Sequence, residues 1–486
     1  MKNLMKLSLC LLAAMAIAVP AAAQVDMSRL VVLGASVDSG FESNCWVKGG
    51  QTDGWEAIVA RQAGVDFQQP LLDVPGVGGC MILQNLAPTF TYAASTPKPL
   101  NLTYPKPYNN LAIPGYLTAS ATTCVTATLT TPCNNPLIDL VLRGSGATTL
   151  QQAASLKPTF AIIGLFGNEP LGPATSGTVI DGVTLISAAA YGASYKTIVD
   201  TLKASQGGTG VGIAVTLPDV STLAHFTAKS PILGVNPATG APIYVLGPTG
   251  CPTGVPACPV PAGTLIPLLL AANAMPYGYG VPCALAPTLP KCNNPLPDNA
   301  GPLDLGGKQV VVPGLLYPSE VSLLKTRTGE YNAQIRTLAG GAGYKIFDTG
   351  AFFADFAANG REWGGMPVTS AYLQGGFFSY DGVHPTSLGY AIVANEAINF
   401  INQNFNASIP QVDLSVYLFN GSSTTGGFPT GITMTQDEIL NFAAAYWTPE
   451  NLKAWQQLFG LQLGHLSIST DDETPVTKVR PETRNR

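Results

Sequence analysis

The chain has 486 residues, of which 46% are hydrophobic and only 11% charged (24 Lys+Arg against 29 Asp+Glu), where an ordinary soluble domain carries about 25% charge. That balance excludes a disordered chain, and 52 glycines and 40 prolines without a three-residue period exclude collagen. A net charge of −5 with no basic block argues against nucleic acid as a partner.

Taken in chain order, the first element is a targeting segment. Lys2 and Lys6 give a positive start, Leu7 to Val19 is an unbroken apolar run, and Ala21-Ala22-Ala23 precedes Gln24. Residues 1–23 therefore predict a secretory signal peptide, too short to span a bilayer and ending in small residues a signal peptidase accepts. Cys10 sits inside the run behind Leu9, where a lipid-anchor site would want a small residue. No later segment reaches about 18 apolar residues without Pro or charge, so no transmembrane span is expected, although contact with a membrane surface stays open. Without Lys2 and Lys6 the charge moves from −5 to −7, and the predicted mature protein is exported and acidic.

Predicted strands and helices then alternate. Leu30 to Leu33 is a short apolar strand ending at Gly34. Asp53 with Glu56 reads as a capping pair before a helix whose stripe is Trp55, Ile58 and Val59. Phe160 to Phe166 and Val211 to Leu217 are the second and third strands. Pro318 to Leu338 is a long helix, Tyr344 to Phe347 a fourth strand, and Ser387 to Ile401 a helix started by Pro385-Thr386. Continuous apolar strands separated by helices predict the α/β class, with a mostly parallel central sheet covered on both faces.

Two stretches break the rhythm. Residues 231–318 contain 18 prolines and four charged residues (Lys291, Asp298, Asp304, Lys308), which predicts an irregular insertion and a candidate cap over the sheet. Residues from about 84 to 155 read similarly. The resulting division is a main domain over 24–410 and an extension over 411–486, with amphipathic helices in Thr435 to Gly460 and a polar, disordered tail after Ser469.

Eight cysteines follow the signal, an even number that in an exported chain predicts disulfides, although eight allow 105 connectivities. Short-loop closure favours Cys124–Cys133, Cys251–Cys258 and Cys283–Cys292, leaving Cys45 with Cys80. Zinc is the alternative, but there is no CxxC knuckle, and the histidines are only His225, His384 and His465. The pattern Cys-x8-Cys-Asn-Asn-Pro-Leu occurs twice, at Cys124–Leu137 and Cys283–Leu296, as two similar stapled loops.

Chemistry is expected beyond the carboxyl ends of the strands, where open α/β sheets collect their functional groups. Ser36 follows the first strand in Gly34-Ala35-Ser36-Val37-Asp38-Ser39-Gly40, with Ser39 as a fallback nucleophile. His384 lies in Asp381-Gly382-Val383-His384-Pro385-Thr386, with Asp381 close enough to accept the second imidazole N–H. The plain alternative is a turn-capping aspartate beside a solvated histidine. Gly115, after Asn110 to Pro114, and Asn168, in Gly167-Asn168-Glu169, are candidate oxyanion donors. His225 and His465 read as a loop residue and a helix-end residue.

These segments, in this order with Leu217-Pro218-Asp219, Tyr331 to Ile335 and Gly389-Tyr390, resemble the SGNH (GDSL-type) hydrolases over roughly residues 28–405. The resemblance implies a flavodoxin-like three-layer αβα sandwich. It also implies Ser36 as nucleophile, His384 and Asp381 as base and orienter, and Ser36 N–H, Gly115 N–H and Asn168 as the oxyanion hole. Family members cleave carboxylic esters and need no metal, so no cofactor is expected. This chain departs from the family pattern at Ala35, where Asp is usual, at Glu169, again for Asp, and at Phe166 for an upstream glycine. Apolar, charge-poor insertions predict a lipid-type or other uncharged acyl ester as substrate. A carbohydrate acetylesterase, an acyltransferase on the same residues, and a non-catalytic surface-binding protein are the alternatives.

Overall fold

The computed structural model describes residues 25–85, 89–363 and 366–419. The predicted signal segment, the helices of Thr435 to Gly460 and the tail after Ser469 lie outside the described residues.

Four short, parallel strands form the central sheet: β1 (Leu30–Leu33), β2 (Phe160–Ile163), β3 (Gly212–Val215) and β4 (Lys345–Phe347), hydrogen-bonded in that order. Every residue of β1, β2 and β3 is buried, which is why their sequences are apolar throughout. Side chains alternate between two cores. Leu30, Val32, Phe160, Ile162, Ile213 and Val215 pack on one face. Val31, Leu33, Ala161, Ile163 and Ala214 pack on the other.

Helices cover both faces. On the first lie α1 (Trp55–Gln62) and α5 (Ser387–Phe405), which pack against each other. Between β2 and β3 come α2 (Asn168–Ser176) and α3 (Ala188–Ser205), and α4 (Pro318–Ala342) packs along α3 on the second face. Serine at 187 caps α3 through Ala190 N–H, and Glu320 reaches back to Tyr317 N–H at the start of α4.

Strands two and three are shorter than their apolar runs. After Ile163 the Leu165 N–H turns to the Asp38 carboxylate instead of a neighbouring strand. After Val215 the Leu217 N–H is taken by the Asn332 side chain of α4. Side chains thus end the ladder. The expected Asp53–Glu56 cap is not formed. Asp53 ends a separate short helix, Lys48–Asp53, α1 starts behind Gly54 without a side-chain cap, and Glu56 is fully buried.

The stretch from 84 to 155 is more regular than its sequence suggests. Three short helices, Thr118–Thr123, Leu137–Leu142 and Thr149–Ser155, place Ala121, Ile138, Val141 and Leu150 in the second core. The stretch from 231 to 318 builds a small core of its own around Val245, Val260, Ile266, Leu270, Leu296 and Leu315. It contains the hairpins Ile232–Val235/Pro242–Tyr244 and Gly301–Asp304/Gln309–Val312.

All four expected disulfides are present: Cys45–Cys80, Cys124–Cys133, Cys251–Cys258 and Cys283–Cys292. Over residues 411–419 the chain stays on the domain. Asn395 brackets Val412, and the Arg61 guanidinium donates to the hydroxyl of buried Tyr417. Among the described residues no helix is long and apolar enough to cross a membrane.

Candidate active site

Ser36 begins the turn that leaves β1, with helical backbone angles (φ −63°, ψ −43°) ahead of a single 3-10 turn over Val37–Ser39. His384 lies at the far end of the chain, on the loop that enters α5. The fold brings the two together: Ser36 Oγ and His384 Nε2 are 2.8 Å apart. On the other side of the ring, Nδ1 is 2.9 Å from Asp381 Oδ2. With Asp381 ionised, Nδ1–H donates to the carboxylate, leaving Nε2 as acceptor for the Ser36 hydroxyl. Both Ser36 and His384 are buried, each with 8% of its surface exposed.

Asp381 is held on every side. Its Oδ2 also accepts the Asn44 N–H at 2.9 Å, and its Oδ1 accepts the N–H groups of Val383 and His384, both at 2.9 Å. Burial alone would raise its pKa. The His384 imidazole and these N–H donors outweigh burial and hold the carboxyl well below its ordinary value.

The supporting loops come from distant segments. Asn44 and Ser43 belong to the loop after the Ser36 turn, and Ser43 N–H donates to Ser379 Oγ at 2.8 Å. The Tyr390 hydroxyl of α5 donates to Phe41 O at 2.6 Å, and the Phe41 ring stands 4.9 Å from the imidazole. The Cys45–Cys80 bridge anchors the end of this loop. His225, expected to be an ordinary loop residue, lies in the short helix Ala224–Thr227 beneath Asp381. Its Nδ1 is 2.9 Å from Asp381 O, and its backbone N–H donates to Gly382 O at 2.7 Å. Gly382 has φ +69°, and a Cβ there would lie 2.7 Å from His225 N, so the loop can come this close only as glycine.

Ser39, the fallback nucleophile, is not near the imidazole: its hydroxyl donates to Ser36 O at 2.8 Å. Asn168 starts α2, and one proton of its amide goes to Tyr116 O at 2.8 Å, joining the loop after β2 to the loop that carries Gly115. Gly115 is exposed, and neither its N–H nor that of Ser36 donates to another described residue. Glu169, next to Asn168, is buried and accepts both N–H and Oγ–H of Thr118, each at 2.7 Å. Burial, partly offset by these two donors, pushes its pKa up to about 7.

An apolar cleft opens beside Ser36. Ser36, Gly167 and Asn168 supply its polar rim, and Leu171, Leu217, Val220, Leu223, Phe353 and Val383 its walls. The centre of a water-sized sphere has about 40 Å³ in which to move there. None of residues 231–318 lines it, so the apolar lining comes from the loops at the strand ends and not from the Pro-rich insertion.

Chemically, the arrangement can move a proton from a serine hydroxyl to a neutral imidazole backed by an ionised carboxylate. Two unpartnered N–H groups and an amide lie on the loops around it. Of the expected residues, the structure brings Ser36, His384 and Asp381 into one chain of contacts and sets Asn168 on the rim of the same cleft. Sequence reasoning missed Asn44, which acts through its backbone, and His225, whose rarity in a chain of three histidines was the one available signal. The chain matches no protein-family profile, and no curated protein matches its sequence.

Proposed function

We propose that the chain is an exported serine acyl hydrolase of the SGNH (GDSL) type, which cleaves carboxylic esters through an acyl-enzyme. The observation that carries this reading is the 2.8 Å contact between Ser36 Oγ and His384 Nε2 with Asp381 behind the ring. A flavodoxin-like arrangement is supported by the parallel bridge between Asn110 and Val32, on the edge of β1 opposite β2. The chain then leaves β1 toward one side and returns at β2 on the other, and Ser36 and Asn168 stand over that divide.

In the reaction, His384 Nε2 takes the Ser36 proton as Oγ attacks the ester carbonyl. The carbonyl oxygen becomes an oxyanion that accepts from Ser36 N–H, Gly115 N–H and the free amide proton of Asn168. The imidazolium, stabilised by Asp381, then protonates the departing alkoxide. Water attacks the acyl group on Ser36 with His384 again as base, releasing the acid and restoring the hydroxyl.

The acyl side is small. The cleft beside Ser36 leaves the centre of a water-sized sphere about 40 Å³, which favours a short acyl group. Acetyl esters of sugars share this requirement and are a second reading. Four disulfides favour an oxidising compartment, in keeping with an export signal at residues 1–23.

The test is a fluorophosphonate probe and a panel of nitrophenyl esters of graded length, run beside acetylated glycans. Wild type should label, Ser36→Ala should not, and turnover should peak at short chains. Labelling that survives Ser36→Ala would count against the proposal.

A further inference from the structure

Beneath Ser36 lie two carboxyl groups that the reaction does not use. Asp38 and Glu56 are both fully buried, and their carboxyl groups lie within reach of each other. Asp38 Oδ2 accepts the N–H of Ala35 at 2.9 Å and of Leu165 at 2.8 Å. Its backbone carbonyl accepts Asn110 Nδ2 at 2.8 Å. The other Asp38 oxygen and both Glu56 oxygens meet no N–H or O–H donor from the rest of the described chain.

Asp38 therefore ties together the three loops that carry Ser36, Gly115 and Asn168, two through its side chain and the third through its backbone carbonyl. The backbone makes room for it. A Cβ on Gly34 would lie 2.1 Å from Asp38 Oδ2, and one on Gly164 would lie 2.4 Å from its carboxyl carbon.

Two ionised carboxylates cannot share such a site without a cation, and one proton between them removes the conflict. The neighbours offer no cation. Arg61, the only basic residue of α1, donates to Thr52 O and the Tyr417 hydroxyl. Asp53, beyond the start of α1, acts on that same Tyr417. From α5 the group facing the pair is the Tyr390 phenol, with the acids Glu42 and Asp381 beyond it. From the loop of Asn110 come uncharged amides, Asn110 and Gln69.

We propose that Asp38 and Glu56 form a carboxylic acid–carboxylate pair, Glu56 O–H donating to Asp38 Oδ1, that positions the Ser36 turn against the loop after β2. The pair holds one proton and one negative charge. Burial, and for Glu56 the charge of Asp38, raises the pKa of both groups, Glu56 well above its ordinary value. Both are positioning residues. In this sequence the carboxylate that organises the turn comes two residues after Ser36, whereas the residue before it is Ala35.

The proposal rests on the reading of Ser36 as nucleophile for its activity arm only. In urea unfolding above the ordinary carboxylate range, unfolded Glu56 is ionised, and a folded Glu56 that keeps the proton of the pair makes stability fall as pH rises. Replacing the titrating group by Glu56→Gln, whose amide still donates to Asp38, should remove one proton from that dependence. The wild-type unfolding constant would then climb tenfold more per pH unit than the variant's. Asp38→Asn, which offers Glu56 a donor and lets it ionise, should flatten the dependence likewise.

For positioning, Glu56→Leu should lower kcat at least tenfold at little-changed KM, and Glu56→Gln should recover most of the loss. A space-filling role would favour Leu. Identical pH slopes in wild type and Glu56→Gln, or Leu matching Gln in kcat, would overturn the proposal. Should Glu56→Leu not fold, the urea slopes decide. A wild type that neither labels nor turns over esters would sink the hydrolase reading and leave those slopes intact.

Discussion

Asp381 is the residue whose environment is most one-sided: three backbone N–H donors and an imidazole converge on a buried carboxylate. Asp381→Asn would present an amide to Nδ1, favour the wrong tautomer and leave Nε2 protonated toward Ser36. We expect kcat to fall by about 10⁴, read with a nitrophenyl ester, while fluorophosphonate labelling slows in step. His225 should matter less but measurably. His225→Phe removes the Nδ1–H that holds the Asp381 carbonyl, and a shift of the loop of about 1 Å costs up to 10²-fold in kcat. Glu169 gives a pH prediction. Its folded pKa of about 7 lies above the unfolded value of 4.5, so its stabilising contribution is full below pH 4.5 and is lost as pH rises toward 7. The loss amounts to roughly 3 kcal/mol. Denaturant titrations should show it in wild type and not in Glu169→Gln.

At the level of elements, α5 is placed by the residue that caps it. Thr386 Oγ1 accepts Gly389 N–H at 3.0 Å and donates to Gly376 O at 2.7 Å, two residues after His384. Thr386→Ala should cost about 1 kcal/mol of stability, seen as a lower melting temperature. The strands and long helices were legible because their apolar runs and caps agree with the burial they meet. Glu56 was misread for a physical reason: a carboxyl three residues after Asp53 looks like a cap until Asp38, distant in the fold's layout, is seen to claim it. The helices between 118 and 155 were hidden for another. Each is only six or seven residues long, too short for a period to register; Thr118–Thr123 and Thr149–Ser155 pack on α3, and Leu137–Leu142 is held by the second core. The triad residues were visible from local motifs. Their proximity was not, since no local signal spans β1 to α5.

Across the whole molecule, the four disulfides do unequal work. Cys45–Cys80 anchors the end of the segment that supplies Asn44 and Phe41 to the site, whereas Cys251–Cys258 lies within the separate stretch of residues 231–318. A closure spanning 35 positions is worth about 4 kcal/mol on chain entropy. The double variant Cys45→Ser/Cys80→Ser should therefore lose both melting temperature and kcat, while Cys251→Ser/Cys258→Ser should keep kcat, as measured on the same ester. The wide separation of Ser36 from His384 has a consequence for how the protein is made. A nascent chain has its attacking hydroxyl from the outset, yet the imidazole, and the carboxylate that steers it, emerge only after most of the polypeptide has left the ribosome. A fragment that stops short of the loop before α5 would hold Ser36 without the imidazole it meets in the fold. The proposed activity would thus arrive only after that loop has been made.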